Sequence, residues 1–348
     1  MRPVAIAGTA ALSAFGAGTR GIAAALERGA ALPGMPADAP LANPRARKMM
    51  SRAAYYAARC LAALLHEVGW AEAREEIGCF LGVGASGGTM DDMIALIDAS
   101  IVDGELSMPR FGDRGLAACN PLLAFQLMNN FTMCHGAILE HLGGPNGAFF
   151  SRGSGTIAAV AEAVHAVSSG DCDRAICGGA DTPTHPVTMA ELQREGFLAR
   201  GMAPADGVGL LAIHASGAGA GAGAVAGAVA GAGAGAVIEH CDHVDGRGRT
   251  IAASVDAVLR TAPVGAFDAL VIAPWGPEIA EALVAWATAA RAPRVVDVRA
   301  LGETVAAGPA LAAIAAADAV ADGAARVLVL TAGIDGDVGA IVIARGAG

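Results

Sequence analysis

The sequence predicts an α/β protein built from two similar halves. Short apolar runs alternate with stretches of helical period along nearly the whole chain. A segment of almost pure glycine and alanine, 216–236, divides it. The runs RAICGGAD (174–181) and RVLVLTAGIDG (326–336) close the two parts in a similar way. Alternation of this kind implies mostly parallel strands covered by helices.

Taken in order, residues 3–9 are a short apolar strand, and 53–68 place Ala57, Cys60, Leu61, Leu64, Leu65 and Val68 on one helical face. Residues 77–82 form a second strand that runs into GVGASGG (82–88). That turn lacks the Lys-Ser/Thr ending of a phosphate loop. Residues 144–150 enter a third strand. Positions 154–168 then keep a helical period through Ile157, Val160, Val164 and Val167, with Ser154 and Thr156 as caps, before a buried strand at 174–178. The glycines of 216–236 make that segment costly to order as a helix, so it reads as a linker between an N-terminal half, 1–215, and a C-terminal half, 237–348. Beyond it, strands at 237–240, 269–273, 294–298, 326–331 and 339–344 enclose helical patterns at 250–260, 277–290 and 309–321.

Composition narrows the function classes. A chain of 348 residues that is 54% hydrophobic can bury a large core. Its positive mean hydropathy comes mostly from alanine, and no run of about 18 strongly apolar residues suggests a membrane span. The N-terminus has no basic-then-apolar leader, and the seven cysteines are odd in number without paired spacing, so a reduced, cytoplasmic protein is expected. The net charge is −10 and Lys48 is the one lysine; the run Arg45, Arg47, Lys48 is too short for nucleic acid. In EHCDH (239–243), neighbours on a strand point to opposite faces, so His240, Cys241 and His243 do not converge on a metal. No cofactor is expected.

The stretch GAFFSRGSGT (147–156) has the outline of an active-site elbow: strand, tight turn, helix start. Such turns hold a nucleophile where helix amides stabilise an oxyanion. Gly153 stands at the tip.

The run GPNGAFFSRGSGTIAAVAEAVHAVSSGDCDRAICGGAD (144–181) resembles the active-site segment of β-ketoacyl synthases. RPVAIAGTAALSAFG resembles that family's first strand, IGCFLGVGASGG its second, and MAPADGVGLLAIHA a shortened form of the segment closing the first half. The second half is matched more loosely and is shorter. The resemblance implies a thiolase-like αβαβα fold of two pseudo-duplicated halves, working as a dimer. It also implies a nucleophilic cysteine activated by a helix N-terminus, and two histidines that decarboxylate a malonyl thioester.

Carried over position by position, that set is missing. Gly153 takes the cysteine position, Pro274 or Trp275 in VIAPWGPE the first histidine, and Glu303 the second, while the family lysine falls on Val298. The C-terminal gate becomes AGIDGD (332–337), which contains Ile334. The resemblance therefore implies a chain-length-factor-like member: a noncatalytic subunit that pairs with an active ketosynthase and reaches an acyl carrier protein through that partner. Such relatives shape the acyl tunnel in polyketide, polyene or fatty-acid-type biosynthesis, and they generally carry Gln at the elbow, where this chain has Gly153.

The segment 120–136 is expected to form a helix along the dimer interface, with Leu127, Asn130, Phe131 and Met133 at the end of the tunnel, although an apolar, Met-rich helix is equally a core element. Phe150, Arg152 and Ile334 are further cavity or interface candidates, and Arg152 facing Glu303 would form an ion pair. A cysteine restored at Gly153 is expected to react with alkylating agents. Two alternatives remain: an altered acyltransferase or hydrolase using Ser154, next to Ser151, or a homodimer that binds acyl thioesters without turning them over.

Overall fold

A computed structural model of the chain describes residues 3–18, 22, 43–85, 87–151, 153–216, 235–261 and 265–346. The strands named below are β1 (Val4–Ser13), β2 (Gly78–Val83), β3 (Asn146–Phe150), β4 (Arg174–Asp181), β5 (Gly207–Ala215), β6 (Ala236–Val244), β7 (Ala269–Pro274), β8 (Val295–Asp297), β9 (Arg326–Ala332) and β10 (Val338–Arg345). The longer helices are α1 (Arg52–Glu67), α2 (Met90–Asp98), α3 (Leu123–Leu127), α4 (Phe131–Leu139), α5 (Gly155–Ser169), α6 (Pro186–Arg194), α7 (Ile251–Thr261), α8 (Pro277–Ala289) and α9 (Gly308–Ala321).

Strand order repeats. The first five strands pair as β3-β2-β4-β5-β1 and the second five as β8-β7-β9-β10-β6. In each set the pairs at the β3 or β8 side are parallel and the last two are antiparallel. Two antiparallel residue pairs, Val4↔Ile238 and Ala5↔Val237, join the sets.

Packing produces five layers. Helices α1 and α4 cover one face of the first sheet around Tyr56, Leu61, Leu64 and Met133. Helices α7 and α8 cover the outer face of the second around Val258, Leu283 and Leu328. Between the sheets lie α5 and α9, whose Ile157, Val160, Leu311 and Ile314 are fully buried. A helix sandwiched between two sheets must be apolar on most of its circumference, and the sequence GPALAAIAAADAVA meets that need with small residues that let both sheets approach. The carboxyl of Asp318, on this helix, is pushed up to about 6 by burial and by the Asp322 charge. Strands buried on both faces read as continuous apolar runs, as β7 and β9 do. Among the described residues no helix is long and apolar enough to cross a membrane.

The structure revises several expectations. The linker 216–236 falls almost wholly on 217–234, outside the described residues, while Ala236 is already a buried strand residue. Residues 120–136 do not form one helix: Met128 is extended, and Asn129 and Asn130, poor helix formers, separate α3 from α4. Residues 89–119, which carry no clean period, fold as α2, a hairpin pairing 101–102 with 105–106, and a π-turn at Phe111–Gly115.

Candidate functional site

The elbow joins edge strand β3 to the buried helix α5. Ser154 occupies the N-cap position, with φ −97° and ψ −8°, and its side chain does not cap the helix. With that near-helical backbone its hydroxyl instead pairs with that of Ser151, at 3.1 Å. The capping expected of Ser154 therefore fails, and the described hydrogen bonds give its oxygen no histidine. Thr156 does not cap the helix either: its hydroxyl donates to the carbonyl of Ala306, in the loop leading into α9. Asp181 accepts from the amides of Thr182 at 2.7 Å and Ala306 at 3.2 Å. Burial pushes its carboxyl up to about 7.

Gly153, Pro274, Trp275 and Glu303 meet around one small cavity, together with Gly308 and Pro309 at the start of α9. Its volume is about 20 Å³, room for about one water molecule. Two features narrow it. A Cβ on Gly153 would collide with the backbone of Gly333, whose N lies 2.9 Å from that position, with Asp337 Oδ1 at 3.0 Å. The 332–337 segment, held by the amide of Gly333 donating to Asp337 O at 2.9 Å, thus seats directly on the tip. The Cβ of a cysteine at Gly153 would already meet this backbone, which counts against an alkylatable thiol there.

Trp275 lines the other side. Its amide donates to Ala332 O at 2.9 Å, and it borders both this cavity and an outer pocket of about 170 Å³ that also contains Phe197, Arg200 and Ile334. Glu303 is 6% exposed and accepts from the amide of Gly276 at 3.3 Å. Burial pushes its carboxyl up to about 7, and the Gly276 hydrogen bond and Arg299 pull the other way. Arg299 lies 3.8 Å from Glu303 and is itself gripped by Asp297 at 2.6 Å. Arg152, the partner expected for Glu303, lies outside the described residues. Among the described hydrogen bonds, none at this cavity pairs a hydroxyl or thiol with a histidine.

Residues 30–239 match the family model of the β-ketoacyl synthase N-terminal domain. The chain belongs to the β-ketoacyl synthase family. No curated protein sequence matches it. Among solved structures, the ishigamide ketosynthase/chain length factor aligns with a TM-score of 0.75 at 18% identity, over 99% of this chain and 100% of that one. A β-ketoacyl synthase from Burkholderia phymatum aligns with a TM-score of 0.75 at 17% identity over the whole of both chains. A chain from a type II polyketide acyl carrier protein in complex with its hexaketide-bound ketosynthase aligns with a TM-score of 0.74 at 12% identity, covering 99% and 100%. At these identities the likeness establishes the thiolase-type fold.

In this ketosynthase-family chain the tunnel candidates are spread out. Leu127 and Asn130 are exposed, and Phe131 packs edge-on against Phe125 at 5.1 Å. Met133 is buried in the outer core, the core role weighed against a tunnel role from the sequence. Phe150, at the end of edge strand β3, is 59% exposed. None of these lines the small cavity, and Ile334 sits in the outer pocket. In the 239–243 cluster the Cys241 thiol reaches Ile157 O on α5, while Asp242 accepts from Thr261 on the outer layer. Sequence reasoning missed Asp181 and the Asp297–Arg299 clamp; the acid ending GGAD and the Asp-x-Arg spacing in VDVR were their signals.

Proposed function

We propose that this chain is a ketosynthase-like subunit with no condensing activity of its own, of the chain-length-factor type. It pairs with an active β-ketoacyl synthase, shapes that partner's acyl tunnel in polyketide, polyene or fatty-acid-type biosynthesis, and meets acyl carrier protein through the partner. It acts in the cytoplasm. The observation that carries this reading is the 20 Å³ cavity lined by Gly153, Pro274, Trp275 and Glu303, the residues that the motif alignment sets at the positions of a cysteine and, with Pro274 or Trp275 for the first, two histidines. Neither an acyl chain nor a malonyl thioester fits in the space of one water. The halves 1–215 and 237–348 share one strand order, which supports reading them as duplicated units kept as a scaffold. The exposed edge of β3 and the exposed Leu127 and Asn130 support a role for that side in pairing. Ser154 has less support as a nucleophile, because its hydroxyl is engaged with Ser151.

The test is carbon dioxide release from malonyl acyl carrier protein. The purified chain is expected to release none above background, and the chain co-expressed with an active ketosynthase subunit of its own pathway is expected to form a one-to-one complex that condenses. Release by the lone chain, or the absence of any complex, counts against the proposal.

A further inference from the structure

Residues 90–118 form a cap that contributes almost nothing to the core. Helix α2 has no buried residue, and the apolar side chains Ile94, Ile97, Val102, Leu106, Met108 and Leu116 are exposed, Met108 at 66% and Leu106 at 57%. On α2, Asp91, Ile94 and Asp98 follow at three- and four-residue spacing and share one row. In the hairpin Val102 pairs with Glu105 across the strands, so that an apolar and an acidic side chain share that face too. A water-facing helix and hairpin that present large aliphatic groups have the character of an uncovered interface.

Charge decides what covers it. Between 90 and 118 six carboxylates (Asp91, Asp92, Asp98, Asp103, Glu105, Asp113) stand against two arginines, Arg110 and Arg114. Asp92 is half-buried and engaged, accepting from the Thr89 hydroxyl at 2.6 Å and the Asn120 amide at 2.9 Å; the other five acids are exposed. The Asn120 bond ties the cap to the segment before α3. So does the hydrogen bond from Thr89 N to Gln126, which leaves the exposed Phe125, Leu127 and Met128 continuous with the cap.

A symmetric pair of identical chains sets the same patch against itself, so two acidic caps would face each other and repel, most strongly at low salt. A partner with lysine or arginine at the facing positions gains attraction from the same groups. We infer that the 90–118 cap docks a different chain with a basic facing surface, and that its carboxylates disfavour a second copy of this chain. This rests on the proposed pairing role and names the chemistry of the partner.

The experiment measures self-association by sedimentation equilibrium. It compares the wild-type chain with a variant carrying Asp91→Asn, Asp98→Asn, Asp103→Asn and Glu105→Gln, at about 20 mM and about 500 mM salt. The wild type is expected to be monomeric at low salt, and both neutralisation and high salt are expected to tighten self-association at least about tenfold. A wild-type dimer at low salt whose affinity neither treatment changes overturns the inference, as does a monomer that stays monomeric under both. Circular dichroism confirms that the variant, altered only on the surface, is folded. These arms need no partner, so they stand apart from the pairing role. With the co-expressed ketosynthase subunit, Asp98→Lys plus Glu105→Lys is expected to weaken the complex at least about tenfold, and an unweakened complex overturns the assignment of the cap.

Discussion

Substitution of Gly153 measures how firmly the elbow is sealed. In an ordinary elbow the tip residue projects into an open site, and exchanging glycine for alanine or cysteine there costs little. Here the first side-chain atom would meet the backbone of Gly333, which cannot swing aside as a side chain can. Such overpacking costs about 1–3 kcal/mol. With an unfolding entropy of about 2.1 cal/mol/K per residue, a chain of this size loses roughly 0.7 kcal/mol per degree near its midpoint, so Gly153→Ala is expected to lower Tm by about 1.5–4 °C. Gly153→Cys should lose at least as much, and in the native protein its thiol should react with iodoacetamide more slowly than Cys119, which is half-buried in the cap. Scanning calorimetry and mass-resolved labelling read these outcomes. A Gly153→Cys protein that melts with the wild type and is alkylated within minutes would refute the claim that the 332–337 segment closes the tip.

Two further predictions concern buried charge. Glu303 holds its proton to about pH 7 when folded, against an ordinary value of 4.5, so its contribution to stability is complete below about pH 4.5 and is lost as pH rises through 7. Glu303→Gln, always neutral, is expected to flatten that decline and to exceed the wild type by about 1–3 kcal/mol at pH 8 in urea titrations; a pH profile parallel to the wild type would contradict it. Arg52 lies 2.8 Å from Asp206, which is fully buried, and also donates to the Thr184 hydroxyl at 2.6 Å. Arg52→Met is expected to cost about 3–5 kcal/mol, with a larger deficit at pH 8 than at pH 5 because burial already raises the Asp206 carboxyl and the arginine opposes this; equal deficits would point to lost packing alone.

Much of the scaffold was legible because the central layers leave a strong periodic signal. The runs at 77–82, 174–178, 269–273 and 326–331 are central strands buried on both faces, each with at least one parallel neighbour, and an apolar stretch of four to eight residues has few other uses. The strand at 237–240 proved longer, reaching Val244, because its outward residues Glu239 and His243 hide the pattern. The cap at 90–118 was silent for a physical reason: its apolar residues face outward, so they follow no core-facing period. At the site, the alignment of motifs brought Gly153, Pro274, Trp275 and Glu303 to one place. Sequence could not reveal that the place is closed, because closure depends on a backbone contact between residues 180 positions apart. The same limit applies to the Thr156 hydroxyl and Ala306, whose meeting joins the two halves at their centre.

The repeated strand order also fixes where the two central helices begin. α5 follows β3 and α9 follows β8, so the internal symmetry brings both amino-terminal ends to the small cavity, with Gly153 just before one and Gly308 and Pro309 opening the other. Each end carries about half a unit of positive charge, a field suited to stabilising a thiolate or an oxyanion. In this chain the carboxyl groups of Glu303 and Asp337 stand beside that point, and burial favours the protonated form of Glu303. The two helix ends therefore act first on the protons these carboxyl groups hold. A nucleophile introduced at the tip would share that field with them, and its ionisation and theirs would oppose each other.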